Sequence, residues 1–134
     1  MTLRDVLTAV KAKRPGCALS DAQLVQELNR FEDMVRVEIY DLHEDPPEPA
    51  RYSAEQPDMT MQIPSPWDDV YTYLLMSKID IDNGETEDFD ADVTLLNAQM
   101  DKYRAAYVRT HMPLQRYSID PFGHRRAGAC GTPF

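Results

Sequence analysis

The chain is poor in the residues from which many active sites are built. Across 134 residues it has two cysteines, three histidines, five glycines and one tryptophan. Cys17 and Cys130 lie far apart and form no CxxC or zinc pattern, which excludes a disulfide-dense scaffold and a zinc ribbon. Two isolated thiols fit a reducing compartment; their spacing neither requires nor forbids a pairing. His43, His111 and His124 include no i, i+4 pair and no HExxH, so no metal site is expected. Glycine is too sparse for a phosphate-cradling loop, serine offers no GxSxG, and neither cysteine has an adjacent histidine to act as its base. An enzyme is not expected, nor is a cofactor.

Long apolar runs are missing as well. None approaches the ~20 residues that span a bilayer, and Met1-Thr2-Leu3-Arg4-Asp5 has no apolar signal-peptide core. A cytoplasmic protein with no membrane partner is expected. Positive charge is also in deficit: 14 Lys and Arg against 23 Asp and Glu give a net charge of -9. A general DNA-binding surface needs a basic patch that displaces counterions, so sequence-specific DNA binding is not expected. Taken alone, the acidity serves solubility.

Helical periodicity is what the chain does have. Thr2 to Lys13 reads as a first helix with Leu3, Val6, Leu7 and Val10 on one face, Thr2 and Asp5 at capping-box spacing, and Pro15-Gly16 as its stop. Ser20 with Gln23 opens a second. Its stripe is Leu24, Val25, Leu28, Phe31, Val35, Ile39 and Leu42, with Glu27, Arg30, Glu32, Asp33, Arg36 and Glu38 read as its solvated side. Residues 44–66 hold six prolines and cannot be one helix. Within them Met59-Thr60-Met61-Gln62-Ile63 alternates and reads as a short strand or extended arm; a loop as long as 44–66 is expected either to contact a neighbouring subunit as an extended segment or to be disordered. A third helix is predicted from Pro66, capped by Ser65, with Trp67, Val70, Tyr71, Leu74, Leu75, Lys78 and Ile79 at helical spacing and Asn83-Gly84 at its end. A fourth carries the seam Phe89, Val93, Leu96, Met100, Tyr103 and Tyr107. The short link between these two helices predicts an antiparallel hairpin with a core of Trp67, Tyr71, Leu74, Ile79 and the six seam residues.

From Met112 the period stops. The expectation is therefore a mostly α protein: a small helical bundle over 1–111 with a long antiparallel hairpin and a Pro-rich extended loop, and an extended C-terminal arm over 112–134. The arm is net positive yet holds Leu114, Tyr117, Ile119, Phe122 and Phe134, so it reads as a segment that orders on a partner surface. The acidic run Asp80, Asp82, Glu85, Glu87, Asp88, Asp90 and Asp92 does not make an EF-hand. Counted from Asp80, Gly84 falls fifth where that loop needs glycine sixth. These acids suit the positive N-terminal end of the fourth helix. Trp67, Tyr71, Tyr103 and Tyr107 are read as core, in preference to a ligand box.

The stretch 63–113 resembles head–tail connector (adaptor, head-completion) proteins of long-tailed double-stranded DNA phages. The resemblance is carried by Ile63-Pro64-Ser65-Pro66, Trp67-Asp68, Tyr71-Thr72-Tyr73-Leu74 and Ile79-Asp80-Ile81-Asp82-Asn83-Gly84-Glu85, then by Phe89, Asn97, Tyr103 and Tyr107. Trp67 stands where tyrosine is common, and Asp90 where tyrosine or asparagine is expected. The resemblance implies a structural virion protein of the neck. Such a protein is present in the host cytoplasm before assembly and forms a homo-oligomeric ring, usually of twelve copies, under the portal. It also implies three partners: the portal protein, the next neck component, and DNA passing through an extended channel. In that frame Leu114, Arg116, Tyr117, Ile119, Phe122, Arg125, Arg126 and Phe134 are the candidate portal-binding arm. Glu85, Glu87 and Asp90 are candidate channel-facing acids that would repel passing DNA. The alternatives are another neck protein (a stopper or tail-side adaptor) and a free acidic helical inhibitor of the antitoxin kind.

Overall fold

A computed structural model describes residues 1–114 of the chain. They form four helices in order, α1 (Leu3–Lys13), α2 (Asp21–Glu38), α3 (Asp69–Asn83) and α4 (Thr86–Thr110), with a 3-10 turn at Tyr40–Leu42 after α2. The protein is mostly helical, a small bundle, and among the described residues extended pairing is limited to two isolated bridges.

Both predicted capping boxes are present. Thr2 Oγ1 accepts from the Asp5 N–H at 3.3 Å while Asp5 accepts from the Thr2 N–H at 3.0 Å. Ser20 and Gln23 repeat the exchange at 3.3 and 2.9 Å. Each box satisfies N-terminal donors that a helix cannot pair internally. The remaining donors at the start of α1 are met by the Pro-rich segment: the Leu3 N–H donates to Met59 O and the Arg4 N–H to Pro57 O, both at 2.8 Å.

The bundle is organised around α3. Val70, Tyr71, Leu75 and Ile79 are buried, and so are Thr72, Met76, Ser77 and Asp80 on its other sides. A helix covered nearly all round is a central one, and α1, α2 and α4 all pack on α3. Gly84 ends it in the left-handed region at φ 75°, and the Glu85 N–H reaches back to Asp80 O at 2.8 Å. That is the 6→1 bond of a Schellman turn. It reverses the chain within two residues and sets α4 antiparallel to α3.

Several expectations require correction. The third helix starts at Asp69, not Pro66, and Ser65 does not cap it; a turn closed by the Trp67 N–H on Pro64 O precedes it at 3.0 Å. Leu42 leaves the stripe of α2 because the helix ends at Glu38, and it is exposed. Glu32 is buried, not solvated. Segment 44–66 is used within the chain: Tyr52, Met61 and Ile63 enter the core, and Thr60 forms an antiparallel bridge with Thr2. At the start of the predicted arm, residues 112–114 are tied to residues 42–44. The Glu44 N–H donates to Met112 O at 2.8 Å, the Leu114 N–H to Leu42 O at 3.2 Å, and His43 bridges Pro113.

Candidate functional site

The lengths of α3 and α4 do not match, and the mismatch builds a site. At 1.5 Å per residue, α4 with 25 residues is ~37 Å long and α3 with 15 is ~22 Å. Joined at Gly84, the two run back together until α3 is exhausted. The last ~10 residues of α4 overhang the start of α3. There Tyr103, Ala106 and Tyr107 meet Trp67, Tyr40 and the Pro-rich segment. The surfaces do not close, and an aromatic cleft of about 450 Å³ remains between Trp67, Tyr103, Tyr107, His111, Pro47 and Asp45. That volume lies within the range of small-ligand sites.

The floor is a stack of rings. Tyr40 and Tyr103 share a buried hydroxyl–hydroxyl hydrogen bond of 2.8 Å. Tyr107 lies 5.2 Å from Tyr40, and His43 meets it edge-on at 5.2 Å. His43 is held by its Nδ1 on Ile39 O at 2.7 Å. On its other side Tyr107 carries His111, stacked parallel at 3.7 Å, while Trp67 lies 5.7 Å from Tyr103. Burial raises the Tyr40, Tyr103 and Tyr107 hydroxyls above their ordinary pKa, so none is a base near neutral pH. Tyr107 Oη is buried with no hydrogen-bond partner among the described residues. Among the described residues the lining is mostly aromatic and apolar, with Asp45, Gln62, Arg109, Thr110 and His111 as its polar members.

Two polar clusters lie elsewhere. On α2, Glu32 is buried and accepts from the Tyr52 and Tyr71 hydroxyls, the second at 2.7 Å. Those hydroxyls in turn accept from the Gln62 and Ile63 N–H groups at 3.0 and 2.8 Å. Asn29, one turn earlier, binds both backbone groups of Tyr52 at 3.1 and 2.8 Å, and Arg36, one turn later, donates to Pro47 O. One polar face of α2 thus fastens the Pro-rich segment. Burial raises the Glu32 carboxyl above its ordinary value, against the two tyrosine hydrogen bonds and Arg36.

The other cluster is Arg14 at the end of α1. Its guanidinium donates to both Asp80 oxygens, at 2.7 and 3.2 Å, and to Asp92 at 3.1 Å. Burial opposes ionisation of Asp80, but the Arg14 hydrogen bonds and charge outweigh it and hold the carboxyl below its ordinary value. Burial and the neighbouring Asp80 push Asp92 up to about 6. Carboxylate oxygens of Asp80, Glu85 and Asp88 lie within 4.8 Å of one another. The ion pairs at this place are those of Arg14 with Asp80 and Asp92; Glu85 and Asp88 are exposed.

Of the predicted hairpin core, Tyr71, Leu74, Ile79, Met100, Tyr103 and Tyr107 are buried. Trp67, Phe89, Val93 and Leu96 are only half-buried. The first three turns of α4 sit at the edge of the bundle, and Trp67 faces the cleft. Of the four aromatics read as one core set, Tyr71, Tyr103 and Tyr107 are in the core and Trp67 packs against it; Tyr103 and Tyr107 also present an edge to the cleft, which Trp67 lines. Glu85, Glu87 and Asp90 are exposed. Leu114 is half-buried and tied to Leu42; Arg116, Tyr117, Ile119, Phe122, Arg125, Arg126 and Phe134 lie outside the described residues, as does Cys130. Sequence reasoning missed Glu32, Tyr52, Arg14, Tyr40 and His43. For Glu32 a signal existed, since Val25, Leu28, Glu32, Val35 and Ile39 step by three, four, three and four and put it on the seam itself. No helix among the described residues is long and apolar enough to cross a membrane. Comparison with protein-family models, curated proteins and solved structures finds no match.

Proposed function

We propose that the protein is a structural component of a phage neck: a connector that forms a ring under the portal, extends the DNA channel and joins head to tail. The observation that carries this reading is the run from Ile63 to Glu85 together with the work its residues do. Ile63 gives its N–H to Tyr71, Asp80 anchors α1 through Arg14, and Gly84 turns the hairpin. Ile63, Tyr71, Asp80 and Gly84 of the resemblance thus tie the hairpin to the Pro-rich segment and to α1 and turn its corner. The scarcity of catalytic residue types and the exposed Glu85, Glu87 and Asp90 also support it. In this reading Tyr117, Ile119, Phe122, Arg125 and Arg126 anchor the ring on the portal through apolar burial and arginine hydrogen bonds.

The test is to mix the purified protein with portal complexes and image the product by electron microscopy. A ring added below the portal is the expected result. Absence of binding, with a stable small complex formed on a host protein instead, would overturn the connector reading in favour of an inhibitory module.

A further inference from the structure

We propose that the aromatic cleft receives the segment Tyr117-Ser118-Ile119-Asp120-Pro121-Phe122 of its own chain. The inference stands on the cleft and on the exit of the chain beside it, and does not rest on the neck reading; under that reading the cleft holds the segment in the free protein and the portal takes it over on assembly.

Three observations lead to this occupant. The first is that the described residues leave the cleft unfinished. Trp67 is half-buried on its wall, and Tyr107 Oη is buried without a partner, a state native structures seldom leave uncorrected. The second is where the chain leaves. His111 and Asp45 line the cleft, and directly beyond them residues 112–114 are tied to residues 42–44. The chain leaves the described body at Leu114, three residues past a cleft-lining side chain. Phe122 is eight residues further on, a reach of up to ~27 Å, and a tether this short gives an effective concentration on the order of millimolar. The third is complementarity. The one charge of the segment is Asp120, and Arg109 and His111 lie on the cleft wall. The segment brings an aromatic, a branched aliphatic and a Pro-Phe step to a surface of tyrosine, tryptophan and histidine rings, the kind of pairing that stabilises beyond area alone.

Trp67 is the sole tryptophan, so the full-length protein gives one indole N–H resonance, and that resonance reports on the cleft. The experiment compares full-length wild type with full-length I119S/F122S, which leaves every residue of the described core untouched. The indole resonance is expected to shift in the variant and to return toward its wild-type position when a peptide of residues 115–134 is added. The wild-type position is expected to be unchanged on dilution. Identical resonances in the two proteins, or a shifted resonance that the peptide fails to restore, would overturn the proposal. A wild-type position lost on dilution would overturn it too, assigning the cleft to a second copy.

Discussion

Arg14 stands between Asp80 and Asp92, one guanidinium serving two carboxyls, and the balance of charge there makes stability depend on pH. Asp80 has no exposed surface, and Arg14 is 22% exposed. Arg14→Ala would leave buried carboxylates unpaired and is expected to cost on the order of 3 kcal/mol, read as a lower urea midpoint at pH 7. Asp92 titrates near 6 in the fold against an ordinary 3.8. A raised acid contributes stability that is complete below its unfolded value and is lost as pH rises through its folded one. The contribution of Asp92 thus fades between about pH 4 and 6. Asp80, held low, acts oppositely: its contribution is present above 3.8 and fades as pH falls below that. Asp92→Asn keeps an acceptor for Arg14 and removes the titration. Its urea midpoint is expected to fall less between pH 4 and 6 than that of wild type. Parallel profiles would show that Asp92 ionises without cost. Glu32, raised by burial, contributes equally to both proteins and cancels in the comparison.

Elements were legible where local chemistry decides them. The two capping boxes, the stripes of α1 and α2 and the stop at Gly84 all follow from residues within a turn of one another, and all are present. Pro66 was misread as a helix start because its fixed φ suits both a first helical turn and the turn that precedes one. Glu32 and Asp80 were misread for another reason: burying a carboxyl depends on donors at a distance, Tyr52 and Tyr71 for one, Arg14 for the other. The cleft was invisible because it arises from the unequal lengths of two helices. Gly84 offers a test at this scale. A Cβ there would meet nothing within 4 Å, so Gly84→Ala isolates the backbone cost of the left-handed conformation. About 1 kcal/mol of destabilisation is expected in urea unfolding, and less for Gly84→Asn, which tolerates that region better. Equal stability of the alanine variant and wild type would show that the hairpin corner is set elsewhere.

As a whole, the described molecule has one core to which loop and helices contribute together. Tyr52, Met61 and Ile63 pack in the same cluster as Leu28, Phe31 and Tyr71, and the polar face of α2 grips the segment from Asn29 to Arg36. The Pro-rich segment is therefore expected to unfold with the bundle. Thermal scans followed by Trp67 fluorescence, at the end of that segment, and by helical circular dichroism should give one midpoint. An earlier fluorescence transition would mean that the segment melts as a separate unit.

The overhang of α4 has a mechanical consequence. Met100, Tyr103, Ala106 and Tyr107, toward its far end, are buried, so this helix of ~37 Å is a beam held at both ends. The far support is the Tyr40–Tyr103 hydroxyl bond, the ring of His43 against Tyr107, and the backbone ties at residues 112–114. The near support is the corner at Gly84. The least supported span lies between them, in the first turns, where Phe89, Val93 and Leu96 are only half-buried.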